Sequence, residues 1–281
     1  MELKRFLHNY KAYSYGIITF SFLYLAISYM IIYFVDFLNI LNLQENVKAV
    51  DGFPPILWIN LFKERSYTEY IQWFFLGLSL LLAVYARGYQ IVNHYRSIKT
   101  WIFLQLGLLL MFAEDIINTR HYIVYFVSLM LNTEYHFFKK TIFASMIEVL
   151  IYLFLGLCMI AFLIKITKDG NESRFGLKLL LISYVFYGIA SIASATRVIG
   201  NWYHVVGSAI LNIITPYFAV EWTASTITVD NYSLGFWFMD LVFEESIELL
   251  GATFMLAALT AFVTCPISKP QLENEISKRL G

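Results

Sequence analysis

The sequence predicts an all-α polytopic membrane bundle, with six spans in one transmembrane domain over residues 1–281, on three observations. Hydrophobic residues make up 59% of the chain and charged ones only 14%, against about 25% in soluble globular domains. Apolar runs of about 20 residues recur, the length needed to cross a ~30 Å hydrocarbon layer at 1.5 Å per residue. Lys and Arg are shared unevenly among the connecting segments, the bias that orients membrane proteins.

In chain order, the first span is residues 15–36. Lys4, Arg5 and Lys11 precede it. It is longer than a signal-peptide core and lacks a small-residue cleavage site, so it reads as a retained span. Residues 68–87, 99–118, 141–164 and 177–196 follow, and 233–264 form the sixth. Residues 120–134 and 201–222 are ambiguous, the second because NWYHVVGSAILNIITPYFAV is uncharged yet carries His204, Asn212 and Pro216. With six crossings, 13 Lys and Arg fall beside the N-terminus, residues 87–99, residues 165–178 and the C-terminal tail, against 7 on the other side. A seventh crossing through 201–222 leaves 10 on each side and removes the bias. The expectation is therefore six spans with both termini cytoplasmic. Residues 119–140 and 197–232 are then extracytoplasmic, their apolar stretches re-entrant or interface-lying helices. Seven spans remain the alternative.

Several features carry no chemistry on this reading. GIASIASA, residues 188–195, offers small side chains that let helices approach closely in lipid. Trp58, Trp73, Trp101, Trp202, Trp222 and Trp237 sit mostly near span ends, as in an interfacial belt. His94 stands in a basic turn, while His136 and His204 read as surface histidines, His204 near enough in sequence to fold back over a site. Cys158 and Cys265 form no C-x-x-C pair, which argues against a disulfide framework or a thiolate metal site. The net charge of zero gives no argument for nucleic acid. No Walker loop, nucleophile elbow or dinucleotide fingerprint occurs. The expected partner is the lipid bilayer, with a second copy or a membrane complex left open.

The exception is FEESIELLG, residues 243–251, which puts three carboxylates into the sixth apolar run. In α geometry Asp240, Glu244 and Glu248 share one face, Glu245 lies about 100° round from Glu244, and Gly251 permits close approach of a neighbour. The third span ends in AEDIINTRHYI, where Glu114, Asn118 and His121 share a face flanked by Asp115 and Arg120. The fourth span carries Glu148. Alternating topology brings all of these to the outer half of the membrane.

A charge at that depth costs about 2.5–3.5 kcal/mol on insertion scales, so seven acids need a shared explanation. A bound divalent cation is one, with Glu114, His121, Glu244 and Glu248 as metal ligands, since hard ions take carboxylate oxygens and imidazole suits transition metals. Proton handling is a second, because neighbouring carboxylates cannot all ionise. Here Asp115, Asn118, Arg120, Glu148, Arg197, Asp240 and Glu245 support a proton or ion pathway. The third is an internal polar network in which Arg120, Arg197 and His121 neutralise the acids. These correspond to an ion-coupled transporter, a metal-dependent membrane enzyme acting on a lipid or other apolar substrate, and an accessory or assembly subunit. The acids outnumber the cations, which favours protons or an added cation.

AEDIINTRHYI and FEESIELLGA together resemble a family of uncharacterised bacterial multi-span proteins. In that family D-E-A-x-x-x-H-E ends one span and E-E-x-x-E-M-x-G sits in the last. Glu244, Glu245, Glu248 and Gly251 match the second motif position for position, with Leu249 in place of Met. The first matches in kind: Glu114 and Asp115 stand at the acidic pair, and Arg120 and His121 where His and Glu are expected. The resemblance implies where the site lies.

Overall fold

The computed structural model describes residues 9–43, 46, 57–92, 98–117, 122–123, 125–126, 137–169, 173–197, 200–218, 223–224, 227–228 and 231–264. Its elements are α1 (Tyr10–Ile32), α2 (Leu57–Phe62), α3 (Tyr67–Val92), α4 (Ile98–Ile117), α5 (Phe137–Asp169), α6 (Arg174–Thr196), α7 (Trp202–Phe218), α8 (Asn231–Trp237) and α9 (Glu245–Thr264). A π segment, Tyr33–Phe37, continues α1, and another, Phe238–Glu244, joins α8 to α9. Between α7 and α8 lies a minimal antiparallel pair, β1 (Thr223–Ala224) and β2 (Ile227–Thr228).

Six segments are long and apolar enough to cross a membrane: Lys11–Phe37, Leu57–Tyr89, Thr100–Ile117, Val149–Lys168, Arg174–Thr196 and Leu234–Thr264. They fall on the expected runs. The second is longer than predicted because α2, in a stretch expected to be loop, stacks beneath α3 across a tight turn in which Thr68 Oγ1 donates to Leu61 O at 2.7 Å. The fourth helix starts at Phe137 rather than Thr141.

The sixth span is the centre of the bundle. α9 packs most extensively on α6, then on α3 and α1. Every residue from Gly251 to Leu259 is buried. Lipid tails are as apolar as leucine, so helices in a bilayer associate through close packing and hydrogen bonds rather than through expulsion of water. The small residues Gly251, Ala252, Ala257, Ala258 and Ala261 serve the first need. Hydroxyls serve the second: Ser183 Oγ donates to Gly251 O and Ser14 Oγ to Ala257 O, both at 2.8 Å, and Thr253 Oγ1 donates to Ser21 Oγ at 2.8 Å. The expected close approach at Gly251 is present: an added Cβ would stand 2.9 Å from the Tyr187 ring. In the GIASIASA run, Ala190, Ala193, Ser194 and Ala195 are buried.

Contacts identify the two ends of the bundle. At one, the starts of α1, α4 and α6 meet the end of α9, through Tyr15 on Phe175, Trp101 on Phe262 and Gly176 beneath Phe262. At the other, the start of α3 meets the end of α4 and the start of α9, through Gln72, Asp115 and Glu248. The first span's start and the last span's end therefore share a side, as six alternating crossings demand. α7, 17 residues long, docks on α8 and its π segment at the opposite, acidic end, and among the described residues it is not one of the six segments long and apolar enough to cross.

The α7–α8 contact depends on two glycines. A Cβ on Gly235 would stand 2.8 Å from His204 O, and one on Gly207 would overlap the Gly235 backbone. Gly207→Ala is expected to lower stability by about 1–3 kcal/mol, the usual penalty for overpacking, in thermal unfolding of the purified protein. Gly188→Ala, where nothing lies within 4 Å of the added carbon, serves as the matched control.

The tryptophans divide. Trp237 is exposed, but Trp58 and Trp101 are each only 1% exposed and belong to the core, so these two are not the interfacial anchors their positions suggest. Trp58 lies edge-on to Phe238, and its backbone N–H donates to Asp36 Oδ2 at 2.9 Å beside Leu57 N–H to Oδ1 at 2.8 Å. Asp36, fully buried, thus satisfies two N–H groups at the start of α2, groups that no intrahelical carbonyl reaches.

Candidate functional site

At the acidic end a cavity of about 490 Å³ opens between α3, α4, α5, α6, the second π segment and α9. Glu64, Glu69, Glu114, Asp115, Asp240, Glu244, Glu245 and Glu248 line it, with Arg65 and Arg197 the cationic residues among its described lining. Six of the seven acids singled out in the sequence are here. For the seventh, Glu148, the side chain lies outside the described residues, although its backbone belongs to α5.

The backbone that delivers four of these acids is only in part the α-helix expected here: Asp240 and Glu244 lie on a π segment, Glu245 and Glu248 on α9. Residues Phe238–Glu244 are wound as a π-helix, whose i→i+5 bonds put an extra residue into each turn. The expected α-helical stripe of Asp240, Glu244 and Glu248 is therefore corrected at Asp240, whose angle to Glu244 the wider turn changes. Glu245 and Glu248 keep α spacing on α9, and all four line the cavity, Glu245 included. Such turns are rare and frequent at functional sites.

Each acid meets different surroundings. Gln72 Nε2 donates to Asp115 Oδ2 at 2.8 Å and to Glu248 Oε2 at 3.0 Å, so carboxyl groups from α4 and α9 converge on a single amide. An amide nitrogen carries two hydrogens, one for each carboxyl. Arg197 Nη1, just past the end of α6, bonds Asp240 Oδ1 at 3.0 Å in a half-buried ion pair. Glu69 accepts the Arg65 backbone N–H. Tyr203, on α7 and fully buried, donates its hydroxyl to Glu244 Oε2 at 2.6 Å. Burial, and then the Glu244 charge, push the Tyr203 hydroxyl far above its ordinary range, so it remains a donor. Four polar atoms of the lining residues, Gln72 Oε1, Trp73 Nε1, Glu245 Oε2 and the Tyr187 hydroxyl, are buried with no hydrogen-bond partner among the described residues.

The expected site residues thus fall into two groups. Glu114, Asp115, Arg197, Asp240, Glu244, Glu245 and Glu248 are brought together. Asn118, Arg120 and His121 lie outside the described residues, and with them the imidazole of the expected metal set. Among the described residues no three His, Cys, Asp or Glu side chains converge as a group able to hold a metal ion. His204 packs on Phe236, with ring centroids 5.1 Å apart, and its neighbour Tyr203 is the residue that reaches the acids.

Sequence reasoning missed Glu64, Glu69, Gln72, Tyr187 and Tyr203. For Glu69 and Gln72 a signal existed: both stand in the first turns of the second span, at the end where the third span finishes. The depth argument applied to Glu114 covers them equally. Tyr187 and Tyr203 gave no such signal, because tyrosine is common throughout this chain, with 20 copies. Comparison with protein-family models, curated proteins and solved structures finds no match for the chain.

Proposed function

We propose that the protein is an ion-coupled membrane transporter in which the acidic cavity binds protons or a cation. The observation that carries this reading is the cavity's charge: eight carboxyl groups face two guanidinium groups among the described lining residues. In a low-dielectric setting neighbouring carboxylates cannot all ionise without compensation. Charge balance therefore requires protons or a cation, and exchange of either drives transport in proteins that keep acids at membrane depth. The π segment supports the reading, since it carries Asp240 and Glu244 and such turns are frequent at functional sites.

The test is charge movement. Proteoliposomes on a solid-supported membrane are expected to give a transient current after a pH jump or a jump in Na⁺ or Mg²⁺, absent from empty vesicles and from the Asp115→Asn/Glu248→Gln double variant. Equal signals from protein-containing and empty vesicles under all three jumps would overturn it. A second reading, an internal polar network that locks the bundle of an assembly subunit, is favoured by the Arg197–Asp240 and Tyr203–Glu244 contacts. It predicts no current, and a loss of stability on neutralising any one of the cavity acids.

A further inference from the structure

The walls of the cavity are more specific than its charge, and we propose that it takes a small primary or secondary organic ammonium ion. The cationic nitrogen is held by Glu245, Glu248 and Asp115, and the carbon body lies against Trp73, Tyr152 and Tyr187. This rests on the cation-binding reading above and narrows it to a ligand class.

Size is the first argument. About 490 Å³ falls within the roughly 300–1,000 Å³ of pockets that enclose organic ligands, and far exceeds what a dehydrated metal ion fills. The second is the spread of the oxygens. A bare divalent ion needs several oxygens at about 2.0–2.6 Å from one point. Here the carboxyls come from α3, α4, the π segment and α9, a spread that suits an ammonium, whose separate N–H bonds reach oxygens about 2.7–2.9 Å away in different directions.

The lining chemistry is the third argument. Trp73, Tyr122, Tyr125, Tyr152 and Tyr187 interleave with the acids, and aromatic faces attract organic cations through the ring quadrupole. An inorganic ion, which keeps or replaces its water shell with oxygens, has little use for them. Fourth, the wall holds unsatisfied acceptors. Gln72, 1% exposed, turns its Nε2 to two carboxyls and leaves Oε1 without a partner among the described residues, as is Glu245 Oε2. Buried acceptors left unpaired are costly. An ammonium that still carries N–H bonds supplies their missing donors, which a quaternary ammonium cannot.

The test uses the full chain in lipid nanodiscs, with benzylamine, tetramethylammonium, benzyl alcohol, Na⁺ and Mn²⁺ as probes in thermal-shift and calorimetric titrations. Benzylamine is expected to bind saturably and raise the melting temperature. Benzyl alcohol, which lacks the charge, and tetramethylammonium, which lacks N–H, are expected to bind at least tenfold more weakly. Glu245→Gln is expected to weaken benzylamine tenfold or more. Tyr187→Leu, which removes the aromatic face, is expected to weaken it about threefold to tenfold, and it tests the site should Glu245→Gln fail to fold. Saturable binding of Na⁺ or Mn²⁺ without benzylamine overturns the organic-ligand inference and leaves the ion-coupled function standing. Benzylamine uptake unchanged in both variants also overturns it, as partition into lipid. No binding by any probe, together with no pH-jump current, overturns both.

Discussion

Glu248→Gln is expected to reduce the pH-jump current to the level of empty vesicles, because it removes an intramembrane carboxylate of the proposed ion site, while leaving the protein more stable. The two effects have one cause. Glu248 and Asp115 share the Gln72 amide, at 3.0 and 2.8 Å. A glutamine at position 248 still offers a carbonyl oxygen to that amide, so the hydrogen bond survives and only the charge is lost. Relief of repulsion between acids a few ångströms apart is worth on the order of 1–3 kcal/mol at an effective dielectric of ~20. Asp115→Asn should behave alike, and the double variant should gain less than the sum, because groups sharing one partner are not additive. Current and thermal unfolding measured on one preparation decide the matter. A variant that is inactive and less stable than wild type would mean that Glu248 is part of the glue of the bundle rather than of a loaded site.

Arg197→Leu should have the largest effect on stability, a loss on the order of 2–4 kcal/mol, somewhat below the 3–5 kcal/mol for breaking a fully buried pair. The discount reflects exposure: the Arg197 and Asp240 side chains retain 18% and 15% of their accessible surface. Two costs combine. Asp240 is left without its guanidinium beside other carboxylates, and the end of α6 loses a cation that complements the helix dipole. Adding Asp240→Asn to Arg197→Leu should recover more than half of the loss, because the charge left behind is then gone. A double-mutant cycle by thermal unfolding in detergent measures this. A single-variant loss within about 0.5 kcal/mol, the range of ordinary surface substitutions, would show the pair to be incidental.

Span positions were legible because length and composition are all that crossing a bilayer requires. The runs at 15–36, 99–118 and 177–196 correspond to Lys11–Phe37, Thr100–Ile117 and Arg174–Thr196. The meeting of acids from different segments was legible in part, from counting crossings: Glu114 and Asp115 lie at the end of α4, and Glu244, Glu245 and Glu248 where the second π segment passes into α9, and all five line one cavity. Gly251 announced its close contact because no other residue admits one. The aromatics were harder. Trp58 and Trp101 are placed like interfacial anchors, yet their rings pack on Phe238, and on Phe162 and Phe262, respectively. Hydropathy cannot separate these cases, since a face turned to lipid and a face turned to protein are equally apolar.

By itself, then, the sequence determined a helical membrane protein with six segments long and apolar enough to cross, and led to the expectation that acids from different segments meet. Both follow from one-dimensional quantities, the length of apolar runs and the alternation of crossings. Only the tertiary structure decided which side chains face one another. It turned Gln72 onto Asp115 and Glu248, brought Tyr203 to Glu244 and Arg197 to Asp240, and wound residues 238–244, with Asp240 and Glu244 on them, as a π-helix. In a soluble helix the apolar stripe reports which way each face points. In a span apolar on every side that report is absent, and facing is set by packing between helices distant in the chain.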